Sequence, residues 1–312
     1  MKIILTGSSG FIGNGLKKTL IKRGLEVVCI RANYVANSKN YLEITEKNTN
    51  ITPNLDDIFN NCSVLIHCAG LAETEKRKAN EIEHIKINRD TTLHLAKLAQ
   101  NYGVKRFIFM SSLKVNGEYS DERPFNSLDV ANPRTSYSKS KWEAEIGLFK
   151  KFVKSNMEIT IIRPPIVYGY GVKGNFKAMI SFINKGYPLP LGNIRNKKSL
   201  LALDNLIDLV IVCLKNPAAA NKIFLVSDDN DISTTDLLIK LGLIIKKPAR
   251  LISFPSNILK ISASIIGQRD VADKLFRNMQ ADISETKKIL NWVPPISIDE
   301  GLRRCFGENI DN

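Results

Sequence analysis

Tyr137 and Lys141 stand four residues apart in the run Tyr137-Ser138-Lys139-Ser140-Lys141, so a helix there carries a phenol and an ammonium on one face. A free phenol titrates near about pH 10 and is a poor base at neutrality. A cation one turn away favours the phenolate, which lets Tyr137 take a proton from a hydroxyl or hand one to a carbonyl. Ser112, with Ser111 as its alternate, follows the strand-like run Arg106-Phe107-Ile108-Phe109-Met110 and offers a hydrogen bond to the same oxygen. Lys141 is also placed to hold a ribose.

Such proton transfer accompanies hydride transfer when a dinucleotide lies alongside, and the chain opens with the means to bind one. In Thr6-Gly7-Ser8-Ser9-Gly10-Phe11-Ile12-Gly13, Gly7 and Gly10 let the backbone turn close to a diphosphate. Gly13 allows tight helix packing, and the helix that Phe11 and Ile12 enter presents its N-terminus to the anion. A purely structural turn is the plainer reading. Arg31 directly follows the strand-like run Glu26-Val27-Val28-Cys29-Ile30, where an acid would favour NAD(H). An arginine there suits a 2′-phosphate, so NADP(H) is favoured, with an exposed surface arginine as the alternative. His67-Cys68-Ala69-Gly70 ends another strand with residues small enough for the backbone at Ala69 to pass beside the cofactor, or simply to pack tightly. Asn88 is placed to fix backbone or an ordered water beneath the site.

The elements that position these groups alternate. Residues 2 to 6, 26 to 30, 63 to 68, 106 to 110 and 158 to 162 read as strands; 13 to 22, 88 to 99 and 136 to 154 read as helices. This order predicts an α/β fold with a Rossmann-type parallel sheet. Arg163-Pro164-Pro165 should leave that sheet, and residues 203 to 226 should return to it. The expected division is a dinucleotide-binding domain of residues 1–168 and 201–227, with a smaller, discontinuous substrate-facing domain of 169–200 and 228–312.

The 312 residues are 44% hydrophobic, enough for a substantial core. The apolar runs are shorter than the roughly 20 residues that span a bilayer, and no export signal is evident, so a cytoplasmic protein without stable membrane insertion is expected. The five cysteines fit reduced, packed thiols, and with three histidines at wide spacing they suggest no metal site. A net charge of +14 calls for an anionic partner. Without a recognised reading module, nucleic acid is not expected. Lys173, Lys177, Lys185, Arg195, Lys197 and Lys198 lie between Gly169 and Ser199 without an acid, which reads as a site for a phosphorylated small molecule.

Taken together, the glycine turn, Met110-Ser111-Ser112-Leu113-Lys114-Val115-Asn116-Gly117, the Tyr137–Lys141 run, Arg163-Pro164-Pro165-Ile166-Val167-Tyr168-Gly169 and Leu290-Asn291-Trp292-Val293-Pro294-Pro295 resemble the extended short-chain dehydrogenase/reductase family, in its nucleotide-sugar epimerase/dehydratase branch. The resemblance covers essentially the whole chain. It implies catalytic roles for Ser112, Tyr137 and Lys141, a UDP-sugar substrate and a homodimer. It also implies uridine diphosphate contacts from Asn175, from Lys198 in place of a common arginine, and from Arg269. Met279 matches a position whose bulk affects sugar accommodation. Dehydratases of the branch carry an Asp-Glu pair where this chain has Leu113 and Lys114, so water elimination lacks its acid and base.

Residues 111–118 and Pro188-Leu189-Pro190-Leu191-Gly192 further resemble bacterial enzymes that form UDP-N-acetylquinovosamine. That likeness, with Arg31, ranks reduction of the C4 ketone of a UDP-4-keto-6-deoxy-N-acetylhexosamine first. UDP-glucose or UDP-N-acetylglucosamine 4-epimerisation comes second, and a non-catalytic dinucleotide sensor is the remote alternative.

Overall fold

A computed structural model of the chain describes residues 1–34, 42–46, 54–72, 80–172, 175–255, 259 and 269–307. The apolar run β1 (Lys2–Thr6) is buried on both faces, as a central parallel strand must be. The turn after it closes when the Gly10 N–H donates to the Gly7 carbonyl at 2.9 Å. Gly10 then caps α1 (Phe11–Lys22) in an extended conformation, so the helix starts at Phe11 rather than at the expected residue 13.

A second departure concerns β2 (Glu26–Tyr34), which continues past residue 30 because it pairs antiparallel with β3 (Leu42–Glu46). Arg31 therefore lies inside the strand, opposite Thr45, and is exposed. After α2 (Leu55–Phe59) and β4 (Cys62–His67) comes one long helical passage. It runs through α3 (Glu81–His84), a π-helical segment Ile85–Asp90, and α4 (Thr91–Asn101). Asn88 thus belongs to the π segment and not to a regular helix. β5 (Arg106–Met110), α5 (Ser136–Phe152) and β6 (Glu158–Arg163) follow.

Beyond Pro164 and Pro165, β7 (Ile166–Tyr168) leaves the main sheet and pairs in parallel with β8 (Leu200–Ala202). Between them lies α6 (Asn175–Asn184). α7 (Leu203–Lys215) leads back to β9 (Lys222–Leu225), which pairs with β6. α8 (Thr234–Ile244), α9 (Arg269–Phe276), α10 (Ser284–Leu290) and α11 (Ile298–Arg304) complete the described elements. Among the described residues the main sheet has seven strands in the order β3-β2-β1-β4-β5-β6-β9, all parallel except β3.

Strand alternation sends successive side chains to opposite faces. Ile3 and Leu5 meet Leu16 and Leu20 of α1 and Leu206 and Val210 of α7, together with Ile283, Leu290 and Trp292. Ile4 joins Leu65, Phe107 and Phe109 beneath Leu95 of α4 and Leu148 and Phe152 of α5. A third core gathers Tyr168, Phe176, Leu200, Leu237, Leu241 and Leu302.

The third core closes around a buried polar hub. The Tyr168 hydroxyl donates to Asp228 Oδ2 at 2.6 Å, while Asp228 Oδ1 accepts from the Ala202 N–H at 2.8 Å and from Asn205 Nδ2 at 2.7 Å. Asn205 also accepts from the Ile296 N–H and donates to the Ile296 carbonyl. Burial raises the Asp228 carboxyl above its ordinary range, while its three donors work against that shift. Tyr168→Phe leaves Asp228 one donor short in a dry site and is expected to lower the unfolding free energy by about 1–3 kcal/mol, read from urea denaturation.

Candidate active site

Gly7 has φ +71°, and a Cβ there would lie 2.6 Å from the Ala69 nitrogen. A Cβ on Gly13 would fall 2.2 Å from the Gly7 carbonyl oxygen. The glycine turn is therefore pressed against the end of β4 on one side and the start of α1 on the other, with no room for side chains. No side chain caps α1 among the described residues, so the first-turn N–H groups face outward as unfilled donors. Ile12 packs against the first core, and a Cβ at Gly169 would meet the Phe11 ring at 3.6 Å.

From this turn a hydrogen-bonded chain runs inward. The Ala69 N–H donates to Thr6 Oγ1 at 3.2 Å, and Thr6 Oγ1 meets His67 Nδ1 at 2.6 Å. His67 Nε2 meets Thr92 Oγ1 at 2.9 Å, and that hydroxyl donates to the Asn88 carbonyl at 2.6 Å. With its proton committed to Asn88, the Thr92 hydroxyl accepts from Nε2–H, so Nδ1 is the acceptor for Thr6. Burial, helped by the Lys141 charge, pushes His67 down to about 3; the imidazole is neutral and its tautomer fixed.

Asn88 is fully buried and holds both backbone groups of Leu71, accepting from its N–H at 2.7 Å and donating to its carbonyl at 3.1 Å. Its amide also donates to Ser140 Oγ at 3.0 Å, whose hydroxyl donates to the Tyr137 carbonyl at 2.8 Å. A Cβ on Gly70 would lie 3.0 Å from both Asn88 Oδ1 and Lys141 Nζ. The Ala69–Gly70 step thus touches the glycine turn at one end and Lys141 at the other, which brings the two predicted constellations together.

Tyr137 sits in the first turn of α5, fixed by the reciprocal Thr135–Ser138 capping box. It is half-buried, and its ring lies edge-on to His84 at 6.1 Å between centroids. Lys141 is buried, donates to the Met110 carbonyl at 2.9 Å and lies 4.7 Å from the centre of the Phe109 ring. Burial pulls its ammonium down to about 8, partly offset by Cys68 and Glu145. The two candidate serines differ in their partners. Ser111 is buried and donates to Glu145, whereas Ser112 is half-buried and accepts only the long 3.3 Å bond from the Lys114 N–H among the described contacts.

Glu145 was not singled out in the sequence, although it continues the Tyr137, Lys141 stripe by one further turn. Its carboxylate takes the Arg163 guanidinium through Nε at 3.0 Å and through Nη2, and Arg163 Nη1 reaches Asn116 Oδ1 at 2.9 Å. This buried network fixes the end of β5 to β6 behind the two serines.

Farther along, Lys198 is half-buried and its ammonium donates to the Lys274 carbonyl of α9; burial lowers it to about 8. The Ser199 N–H donates to the Met279 carbonyl at 2.9 Å. Lys198, α9 and Met279 are therefore neighbours. Asn175 opens α6 and Arg269 opens α9, and the side chains of both lie outside the described residues. Leu113 is buried, and Lys114 pairs with Glu118 at 3.3 Å.

A Rossmann-type sheet with this Asn88, Tyr137 and Lys141 arrangement defines an enzyme of the NAD dependent epimerase/dehydratase family, whose profile matches residues 3–227; the chain belongs to it. Over 306 residues it is 39% identical to the UDP-glucose 4-epimerase of Vibrio cholerae, a match spanning 97% of this chain and 93% of that one. The fold is shared with the UDP-glucuronic acid 4-epimerase from Bacillus cereus in complex with NAD, at TM-score 0.75 and 21% identity over 98% of this chain and 96% of that one. It is shared also with RMD from Pseudomonas aeruginosa complexed with NADPH, at TM-score 0.76 and 18% identity over 98% of both chains.

A neutral buried His67 binds its proton more readily in the unfolded chain, so folding stability falls as pH drops below about 6.5 towards about 3. Between pH 7 and pH 5 this one group is expected to remove about 2 kcal/mol. Urea titrations at the two pH values should show that loss in the wild type and a smaller one in His67→Gln.

Proposed function

We propose that the protein is a UDP-hexose 4-epimerase acting with a bound nicotinamide dinucleotide. The observation that carries this reading is the 39% identity to a UDP-glucose 4-epimerase along 97% of the chain, joined to a site with both a dinucleotide cradle and a tyrosine–lysine pair. The cradle fits such a cofactor: side chains at Gly7, Gly13 and Gly70 would collide with neighbouring atoms, and the free α1 N-terminus suits a diphosphate. When bound there, the cofactor supplies reversible hydride acceptance at C4 of the sugar.

The chain's own residues do the remainder. Tyr137, as phenolate, removes the proton from the C4 hydroxyl and later returns it to the same oxygen after the sugar has presented its other face. Ser112 holds that oxygen by hydrogen bonding; its hydroxyl suits the task better than that of Ser111, which is engaged with Glu145. Lys141, protonated, lowers the phenol's pKa and holds the ribose of the dinucleotide. Asn88 orders the Leu71 backbone and the first turn of α5. Lys198, Arg269 and Asn175 serve the uridine diphosphate, whose charge would draw the Lys198 ammonium back up from about 8. In this reading the dinucleotide belongs to residues 1–168 and 201–227 and the sugar nucleotide to 169–200 and 228–312, in a homodimer.

The order of the two enzymatic readings is thereby reversed from that taken from sequence. Ketone reduction ranks first from sequence on the likeness of residues 111–118 and 188–192 together with Arg31, which lies exposed within β2; the match along 97% of the chain favours epimerisation instead. A preference for NADP(H) rests on Arg31, whose exposed guanidinium suits a 2′-phosphate. Leu113 and the Glu118-paired Lys114 support the exclusion of water elimination.

Purified protein given UDP-glucose or UDP-N-acetylglucosamine without added reductant should interconvert the C4 epimers, followed by NMR of the anomeric proton. Consumption of NADPH or NADH with UDP-4-keto-6-deoxy-N-acetylglucosamine, and no epimer formed, would restore the reductase. Tyr137→Phe is expected to lose about 10²–10⁴ in kcat while still binding dinucleotide. Because Lys141 loses its proton as pH rises through about 8, kcat/KM should decline there. In Lys141→Arg, whose guanidinium stays charged, that decline should move to higher pH.

A further inference from the structure

The excess positive charge is not spread evenly. Residues 169–203 and 237–269 contain twelve of the 45 Lys and Arg and none of the 31 Asp and Glu, leaving 33 basic and 31 acidic residues in the rest of the chain. Two stretches thus carry nearly all of the +14. A sugar-nucleotide diphosphate needs two or three cations and Lys240 pairs with Asp299, which leaves a surplus that includes Lys185, Lys246, Lys247 and Arg250.

The structure packs these stretches together. The Leu189 N–H donates to the Arg250 carbonyl and the Ile252 N–H to the Leu189 carbonyl, both at 2.8 Å. Lys247 Nζ reaches the last carbonyl of α6, on Asn184, and Arg250 reaches the Gly186 carbonyl, both at 3.4 Å. Lys185 lies over the Tyr187 ring at 5.9 Å, and Tyr187 in turn tilts against Phe182 at 6.3 Å. Lys185, Lys246, Lys247 and Arg250 are all exposed. Capping of helix C-termini accounts for some of these cations, but not for what lies among them. Phe182 is 48% exposed, Tyr187 51%, Leu243 68%, Ile252 52% and Phe254 40%.

A soluble protein seldom displays so many large apolar side chains together without a partner. Cations alone would suit any polyanion. Cations interleaved with protruding phenyl, leucyl and isoleucyl groups suit a surface with phosphate at its face and hydrocarbon just below. We propose that this face, formed by the ends of α6 and α8 and the paired 186–189 and 249–254 segments, docks peripherally on an anionic phospholipid bilayer. Binding is at the surface only, since no described helix is long and apolar enough to cross a membrane.

The test is flotation of the full chain with vesicles of phosphatidylcholine plus phosphatidylglycerol, against phosphatidylcholine alone and against duplex DNA on beads. Expected is partition onto the anionic vesicles at physiological ionic strength and release at about 1 M salt, where the screening length is ~3 Å. Each cation near such a surface contributes about fivefold to partition, so the double variant Lys246→Ala, Lys247→Ala should bind about 25-fold more weakly. Leu243→Ser should weaken binding to anionic vesicles while leaving the salt dependence in place. Both variants alter exposed side chains and should fold, the double variant with a slightly lower unfolding temperature from loss of the Lys247 contact at the end of α6. If either fails to fold, the wild-type comparison of vesicle types and salt still decides. Equal binding to both vesicle types, no binding to either, variants that float like wild type, or stronger retention by DNA than by anionic vesicles would each overturn the proposal.

Discussion

A neutral, fully buried imidazole is the part on which the site's geometry depends. His67 ends β4 and receives the Thr6 hydroxyl on one nitrogen while giving its proton to Thr92 through the other. Through Thr6 it holds the backbone at Ala69, which supports the glycine turn; through Thr92 it holds the carbonyl of Asn88, which orders Leu71 and the start of α5. A protonated ring would have two donors and no acceptor, and the Thr6 hydroxyl, accepting from both Nδ1–H and the Ala69 N–H, would need a new acceptor for its own proton. Low dielectric surroundings and the nearby Lys141 charge both oppose that protonation.

The cations near the site are handled differently. Lys141 is kept dry, with the Met110 carbonyl and the Phe109 ring beside its ammonium, and burial pulls its pKa down to about 8. Arg163 is equally buried but faces a full carboxylate, Glu145, with Asn116 taking a third guanidinium nitrogen. That satisfied pair acts as scaffold. Removing either partner would strand a buried charge, and the segment after β5 that carries the serines would lose its tie through Glu145 to β6. One helix face, α5, presents Tyr137, Lys141 and Glu145 in succession, so a phenol, an ammonium and a carboxylate are aligned by helical periodicity alone.

Much of this was legible in the chain because it is local. Continuous apolar runs marked β1, β4, β5 and β6, and the glycine spacing marked the turn. A four-residue interval placed Tyr137 and Lys141 on one face. What escaped depends on distant pairing. β3 is a short alternating run, Leu42-Glu43-Ile44-Thr45-Glu46, that becomes a strand only by adding to an edge, and that addition is what carries β2 past Arg31. The π segment around Asn88 adds a residue to the helical repeat, which a search for a 3.6-residue period cannot register. Glu145 and Arg163 are 18 positions apart, and nothing in either neighbourhood announces the other. Strands as brief as β7 and β8, three residues each, have too little pattern to read.

The Asp228 carboxylate reaches across the whole order of synthesis. Its partners come from the end of β7, from the start of α7 and, through Asn205, from the backbone at Ile296. The stretch that matches the family ends at residue 227, one position short of this acid. A polypeptide terminated there would retain every described strand of the main sheet yet leave the Tyr168 hydroxyl and the Asn205 amide without the carboxylate both donate to. The polar contacts of Tyr168 and Asn205 are accordingly complete only when the chain's final third has been made and laid against the sheet.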